Sequence, residues 1–471
     1  MKIFNLNIKE SIFASIAIGM IAVGCEKKLD VQPYQSMPVE RALVTEGDVS
    51  GTLVGAYDAA SSAAAYGGDM MVLNDLIGNR TNINFRGTFA GLVEAWNASM
   101  TTNNSFAAST WSAAYNTINV SNNVLENLDK IVSSTTKKQS AEGQALFLRA
   151  SMYFELLKLY SRPYNDGNPA VNLGVPIVLT ATKAPITGSD SKPRATVQAV
   201  YERIIADLIK AESLLPSTNT KFATKWAAAA QLSRVYLAME NYKDAADAAN
   251  RVIAGSGKTL TLQFKDNWFT YVNFNGVTPN EYVFYIKVSN QDGTNSLNTY
   301  YGRSIAAFPG SAGRSDMRIF AAHLNIYESA DVRRAFFVID GSRYTQKHLD
   351  RFGDVPVIRL AEMYLTRAEA NFRRNTAVGA TPLSDVNMIR KRAGLADLTS
   401  VTLDLDAILK ERAAELALEG NNLFESQRLK KSLGTSTSPI AWNSSKLILP
   451  IPQREMDVNK ELIQNEAYII K

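Results

Sequence analysis

The chain has one cysteine and two histidines in 471 residues. One cysteine leaves no intramolecular disulfide and no thiolate metal cluster, so a stable fold must be held by its apolar core. The histidines, His323 and His348, share no metal-ligand spacing. No G-x-S-x-G elbow accompanies them, and "GRS" at 302–304 reads as loop. Each is expected as an ordinary surface or half-buried residue. No Gly-rich phosphate loop of the G-x-x-x-x-G-K type occurs, and no dense Lys/Arg block. The net charge of +5 is weak for this length and does not argue for nucleic acid. Beyond the N-terminal region, no segment approaches 18 uninterrupted apolar residues.

The cysteine sits in "IAVGCEKKLD", residues 21–30. Lys2 and Lys9 precede an apolar run from Ile12 to Val23. At ~1.5 Å per residue that run reaches roughly 18 Å, short of a bilayer's ~30 Å core. It reads as a secretory signal rather than a spanning helix. Its end, Ala22-Val23-Gly24-Cys25, resembles a bacterial lipobox, with Ala22 where leucine is usual. The resemblance implies cleavage before Cys25 and a lipid on its sulfur. The expected division is a signal peptide at 1–24 and a lipid-attached, polar linker at 25–45.

Beyond the linker the pattern is mostly helical. An apolar stripe from Trp111 to Ile131 predicts a helix, and "AEGQALFLRASMYFELLKLY" (141–160) predicts another, stopped by Arg162-Pro163. Residues 74–110, rich in Asn and Thr, read as loop. "GVPIVL" (174–179) reads as a short strand or extended segment. In "AAAAQLSRVYLAMENYKDAADAANRVIAG" (227–255), Leu232, Ser233 and Tyr236 precede a break at Asn241-Tyr242, then Ala245, Ala249 and Val252. That spacing is the tetratricopeptide pattern, whose hairpins must stack to bury their faces. Residues 256–350 are dense in aromatics, and "EYVFYIKVS" (281–289) alternates as a strand does. Helical pattern returns at 355–372.

"RLAEMYLTRAEA" (359–370), "IRKRAGL" (389–395), "ILKERAAELALEGNNLFESQRL" (408–429) and "LPIPQREMDVN" (449–459) occur in that order. With the lipobox and the tetratricopeptide pattern, they make the chain resemble the SusD/RagB family. After "ELALEGN" the sequence departs from the family's "RFFDLKRW", keeping Phe424 and Arg428. The resemblance implies a mostly α fold: a tetratricopeptide-like superhelix with a loop-rich ligand-binding subdomain containing a few short strands. It divides the body into an N-terminal half at 46–255, an aromatic loop-rich region at 256–350 and a C-terminal hallmark half at 351–471. It implies a surface-exposed, lipid-anchored outer-membrane protein that captures glycans for a SusC/RagA-like TonB-dependent transporter. It implies no cofactor, no metal and no catalysis. A peptide-binding member is the alternative, with a lipid-anchored glycoside hydrolase behind it.

Binding a sugar needs flat apolar faces for its C–H surfaces and polar groups for its hydroxyls. Asn79, Arg80, Trp96 and Asn97 offer that mixture in a polar stretch, and the family resemblance places the corresponding stretch on the ligand face. Trp268, Tyr271, Tyr300 and Tyr301 form the second group of candidates. For any single aromatic, packing is the commoner role. Trp111 and Trp226, on helices, are assigned to the core. Glu411, Glu415 and Glu419 recur at i, i+4, i+8, a spacing that puts neighbours ~5–6 Å apart on one helix. A retaining glycosidase needs a similar carboxyl separation. The expectation here is instead an ion network answered by Arg390, Lys391, Arg392, Arg359 and Arg367.

Overall fold

The computed structural model describes residues 43–182, 191–270, 276–305, 311–339, 341–435 and 438–469. The signal peptide, Cys25, nearly all of the linker, and Tyr271 lie outside them. The fold is mostly helical, as the sequence predicts. Its helices begin where a side chain can answer free N–H groups. α1 (Glu46–Ser61) opens on a capping box between Thr45 and Asp48. Asn104 caps α4 (Ser105–Glu126), Ser134 caps α5 (Thr135–Tyr160) and Thr196 caps α6 (Val197–Leu214). Thr224 caps α7 (Lys225–Ala238) and Asn241 caps α8 (Tyr242–Gly255).

Each of these helices packs on the next: α4 on α5, α5 on α6, α6 on α7 and α7 on α8. Nearest-neighbour stacking is the solenoid principle. The α7/α8 hairpin is the unit the sequence predicts. Ala227 to Ala230 and Leu232 are buried on α7, and Ala245, Ala246, Ala248, Ala249 and Val252 on α8. Small side chains let the two axes approach. Ser233 donates to the Ala230 carbonyl and reaches the Met363 sulfur at 3.3 Å. Gly255 is required for another reason: a Cβ there would sit 2.2 Å from the Trp226 ring. Trp111 is buried, as expected; Trp226 is only half-buried and packs on the core's edge.

The C-terminal part continues the stack. α10 (Leu360–Arg374) lies on α7 and α8 and carries α11 (Pro382–Arg392) and α12 (Leu405–Glu415). One principal apolar core runs from Ala56 to Leu462, and residues from Thr45 onward cluster as one compact unit.

Two expectations are corrected by the structure. Residues 74–110 are not loop. They hold α2 (Asp69–Gly78), β1 (Ile83–Phe85) and α3 (Ala90–Asn97). All ten α2 residues are buried, so the helix shows no amphipathic stripe to read. The segment 355–372 begins as a strand, β4 (Val355–Arg359), and turns helical only at Leu360. β4 pairs antiparallel with β2 (Tyr282–Ile286), which is the strand expected at 281–289. Of the two forms expected for 174–179, the extended one is found, held by Gly174 N–H to Ala195 O at 2.7 Å and by Tyr153 donating to Val178 O at 2.9 Å.

A second two-stranded ribbon is built from distant stretches. β1 pairs antiparallel with β3 (Met317–Ile319), Asn84 opposite Arg318 and Phe85 opposite Met317. The Phe320 N–H extends the ladder by donating to Asn82 O at 2.8 Å. The ribbon joins stretches more than 200 residues apart in sequence, bringing 79–97 beside the aromatic loops.

Candidate functional site

Alternation along the β1–β3 ribbon separates two faces. Ile83, Phe85, Met317 and Ile319 point into the core, while Asn84 and Arg318 are half-exposed. Trp96, near the end of α3, flanks β1. Its indole N–H reaches the Ile83 carbonyl at 3.4 Å, and its ring is half-buried. On the neighbouring backbone carbonyl, that of Asn82, sits Phe320, whose ring is 36% exposed. Two accessible aromatic surfaces therefore border residues 82–83.

Arg80 lies beside them. One guanidinium nitrogen donates to Ala95 O at 2.8 Å, and its buried Nε has no hydrogen-bond partner. Burial unrelieved by a carboxylate pushes its pKa down to about 10. Asn79 is buried and accepts from Asn82 at 2.7 Å. Asn97 is exposed at the end of α3. Asn79 and Asn82 also line a cavity of about 270 Å³ shared with Thr81, Asn421, Asn422 and Ser426. Its amides and hydroxyls are of the kind that pair with sugar hydroxyls.

The ribbon's other end carries an aromatic triangle. Phe89, Phe106 and Tyr300 meet edge to face, with centroids 5.8–6.4 Å apart. The Arg314 guanidinium lies 4.6 Å from the Phe89 ring and donates to Thr88 at 2.9 Å. Tyr300 and Tyr301, on α9 (Ser296–Tyr301), are both buried. Tyr300 bonds Asp69 of α2, and burial drives the Asp69 carboxyl up to about 7. The Tyr301 hydroxyl donates to Asp75 at 2.6 Å. Asp75 in turn accepts from the Gly420 and Asn422 backbones. These tyrosines brace the ribbon; Tyr301 has no exposed ring face.

Trp268 lies elsewhere. It is 2% exposed, with Lys347 at 4.9 Å and Arg359 at 5.3 Å from its ring. Those cations belong to a buried ion network. Arg359 bonds Glu281 at 2.7 Å, Glu415 at 2.9 Å and both oxygens of Glu419, at 2.7 and 2.9 Å. Arg333 answers Glu411 at 2.7 Å and Glu415 at 3.2 Å, while Arg392 bridges Glu281 and Glu415. Lys347 pairs with Glu419 at 2.5 Å. The ion-network expectation holds, with changed members. α12 ends at Glu415, so Glu419 stands beyond the helix. Lys391 pairs instead with Asp397 and Arg367 with Asp385; Arg333 and Lys347 take their places.

Burial alone would raise the Glu415 pKa, but Arg392, Arg359 and Arg333 outweigh it and hold the group ionised. Burial pushes Glu411 up, with Arg333 opposing. Glu281, Glu411, Glu415 and Glu419 are all buried. Both histidines are buried, contrary to expectation: His323 packs against Tyr327 and Phe337, and His348 bonds the Leu418 carbonyl. Among the described residues, no group of three His, Cys, Asp or Glu could hold a metal ion, and no helix is long and apolar enough to cross a membrane.

Sequence reasoning missed Phe320, Phe89, Arg314 and Arg318. Phe320 and Arg318 reach residues 82–84 through the pairing of β1 with β3.

Stacked helical hairpins bearing an exposed aromatic and guanidinium ribbon define a binding protein on a tetratricopeptide-like scaffold. Residues 27–237 match a SusD-like family model described as "Starch-binding associating with outer membrane", and residues 337–468 match that of the SusD family. The chain belongs to the SusD/RagB family. It is 25% identical to SusD-like protein P2 of Formosa agariphila over 510 aligned positions, covering 96% of this chain and 98% of that one. It is 32% identical over 127 residues to the starch-binding protein SusD of Bacteroides thetaiotaomicron, covering 24% of this chain and 22% of that one. A crystal structure of a candidate sugar binding protein from Bacteroides vulgatus superposes with a TM-score of 0.80 at 28% identity, covering 91% of this chain and all of the other. The family's members are binding proteins associated with the outer membrane.

Proposed function

We propose that this protein captures glycans at the β1–β3 ribbon and delivers them to a partner TonB-dependent transporter of the SusC/RagA type. One observation carries the reading. Trp96 and Phe320 are both partly accessible and bond the backbone carbonyls of residues 83 and 82, with the unpartnered Arg80 Nε in the same stretch. A pyranose ring's C–H face stacks on such surfaces, and guanidinium and amide groups fork onto its hydroxyls. Asn79 and Asn97 belong to the same surface. Tyr300 supports it from beneath, and Trp268 serves stability. The stretches 46–255, 256–350 and 351–471 act as helical scaffold, ligand-facing loops and closing hallmark half.

Cys25 is the proposed lipid attachment point of a surface-exposed lipoprotein, with the residues that follow it linking the lipid to the body. A tether keeps a capture protein at high effective concentration over its transporter. The family model's own description, starch-binding and associated with the outer membrane, supports this reading. The test is affinity electrophoresis of the full chain in detergent through gels holding starch, galactan, polygalacturonate or carrageenan. Retardation by at least one polymer, lost in Trp96→Ala, supports the proposal. No retardation by any of them contradicts it.

A further inference from the structure

Many interior arginines are answered by carboxylates: Arg149 by Asp207, Arg234 by Glu362, Arg428 by Glu369. Buried Arg194 instead spends its guanidinium on backbone carbonyls and Asn465. Around the β1–β3 ribbon, carboxylate pairing among the described residues is sparse. Arg80, Arg86, Arg303, Arg314, Arg318 and Arg343 lie on or beside the β1–β3 ribbon. Arg318 stands opposite Asn84 in the ladder, and the Arg86 N–H donates to Asp316 O at 2.7 Å. The Arg343 Nε donates to Ile319 O at 3.1 Å, on the residue after Arg318. Arg303 and Arg314 face each other across a β-bridge, and Arg303 lies 5.1 Å from the Tyr344 ring. Within this group and among the described residues, only Arg314 has an ion pair, with Asp316 at 3.0 Å. The other nearby acids are engaged otherwise: Glu94 accepts from Asn104, and Asp69 is buried against Tyr300.

A fully solvated arginine needs no partner, so exposed Arg86 alone would signify nothing. Arg80 differs. It is half-buried, its Nε is sealed from solvent and unbonded, and no carboxylate faces it. A partly desolvated guanidinium with no carboxylate beside it is unfavourable until an anion arrives. Guanidinium matches carboxylate and sulfate in two-pronged geometry, and several along a ribbon suit an anion repeated along a chain. We propose that the glycan captured at this surface is a polyanion, bearing carboxylate or sulfate ester groups along its length. This rests on the glycan-capture reading above and narrows its ligand class.

The experiment is calorimetric titration of the full chain in detergent with polygalacturonate and its carboxyl-reduced form, and with carrageenan and its desulfated form. At least one anionic polymer is expected to bind ~10-fold or more tightly than its neutral counterpart. The two pairs separate carboxylate from sulfate. Arg80→Ala and Arg318→Ala should each weaken that binding by roughly 5- to 30-fold, and added salt should weaken it further. Lys210→Ala, removing an exposed lysine from α6, should leave it unchanged. Thermal melts establish that each variant is folded; if Arg80→Ala is not, Arg318→Ala carries the test. Equal binding of neutral and anionic forms with unaffected arginine variants overturns the inference while leaving glycan capture standing. So does an effect of Lys210→Ala as large as that of Arg318→Ala. No binding to any of the four polymers overturns this inference, and the capture reading falls with it where the starch and galactan gels also show no retardation.

Discussion

Arg359 grips both carboxylate oxygens of Glu419, at 2.9 and 2.7 Å, and with a third nitrogen holds Glu281 and Glu415. All four groups are buried. The carboxylates nearest in spacing to a hydrolase pair are therefore consumed by structure. Removing one partner leaves buried cations unanswered, which typically costs about 3–5 kcal/mol. Glu415→Gln is expected to lower unfolding stability on that scale in urea titration. The folded fraction should bind glycan as wild type does.

Glu369 and Arg428 form a second buried pair, with two 2.7 Å bonds. Burial opposes ionisation of Glu369, but Arg428 wins and lowers the pKa to about 2 from 4.5. A depressed carboxylate stabilises the fold above its unfolded pKa and loses that contribution as pH falls through the folded one. Wild type should therefore lose on the order of 3 kcal/mol from this group between about pH 4.5 and pH 2. Glu369→Gln should flatten that part of the stability–pH curve, read by denaturant midpoints at each pH.

Asp69 has the opposite sign. Its pKa is raised by burial from 3.8 to about 7, so its contribution is intact below about 3.8 and fades as pH rises through about 7. Asp69→Asn keeps the shape and removes the charge. It is expected to raise stability at pH 8 by on the order of 2 kcal/mol and to change little at about pH 3.5.

Two aromatic residues separate binding from folding. Trp268→Phe removes indole packing between Lys347 and Arg359, and should lower the melting temperature without altering glycan affinity. Phe320→Ala removes a ring already 36% exposed and should do the reverse. An aromatic contact of this kind is worth about 1 kcal/mol or more beyond area, so affinity should fall about fivefold or further.

Cys25→Ser is expected to leave the melting temperature unchanged and move the protein from the membrane pellet to the soluble fraction. Fractionation and immunoblotting read this directly.

The sequence made some of this legible and hid the rest for physical reasons. The α7/α8 hairpin was readable because its small residues, Ser233, Ala245 and Ala249, recur at the spacing that close helix crossing demands. Strand β2 alternates and was readable too. α2 was not, because a helix buried on all sides loses the polar face that marks its period. β4 was masked by the helix that continues directly from Arg359. At the site, Arg80 and Trp96 could be picked out as a guanidinium and an aromatic in a polar stretch. Phe320 and Arg318 could not: they become neighbours of residues 82–84 only through pairing across more than 200 residues. Trp268 looked accessible because its stretch is loop-like, yet the cations that enclose it come from distant segments.

The most direct measurement is titration of the full chain, wild type and Trp96→Ala/Phe320→Ala, with whichever tested polysaccharide retards the wild type. The account predicts at least ~30-fold weaker binding by the double variant, with both proteins melting within about 3 °C of each other. Unchanged affinity in a folded double variant would contradict it.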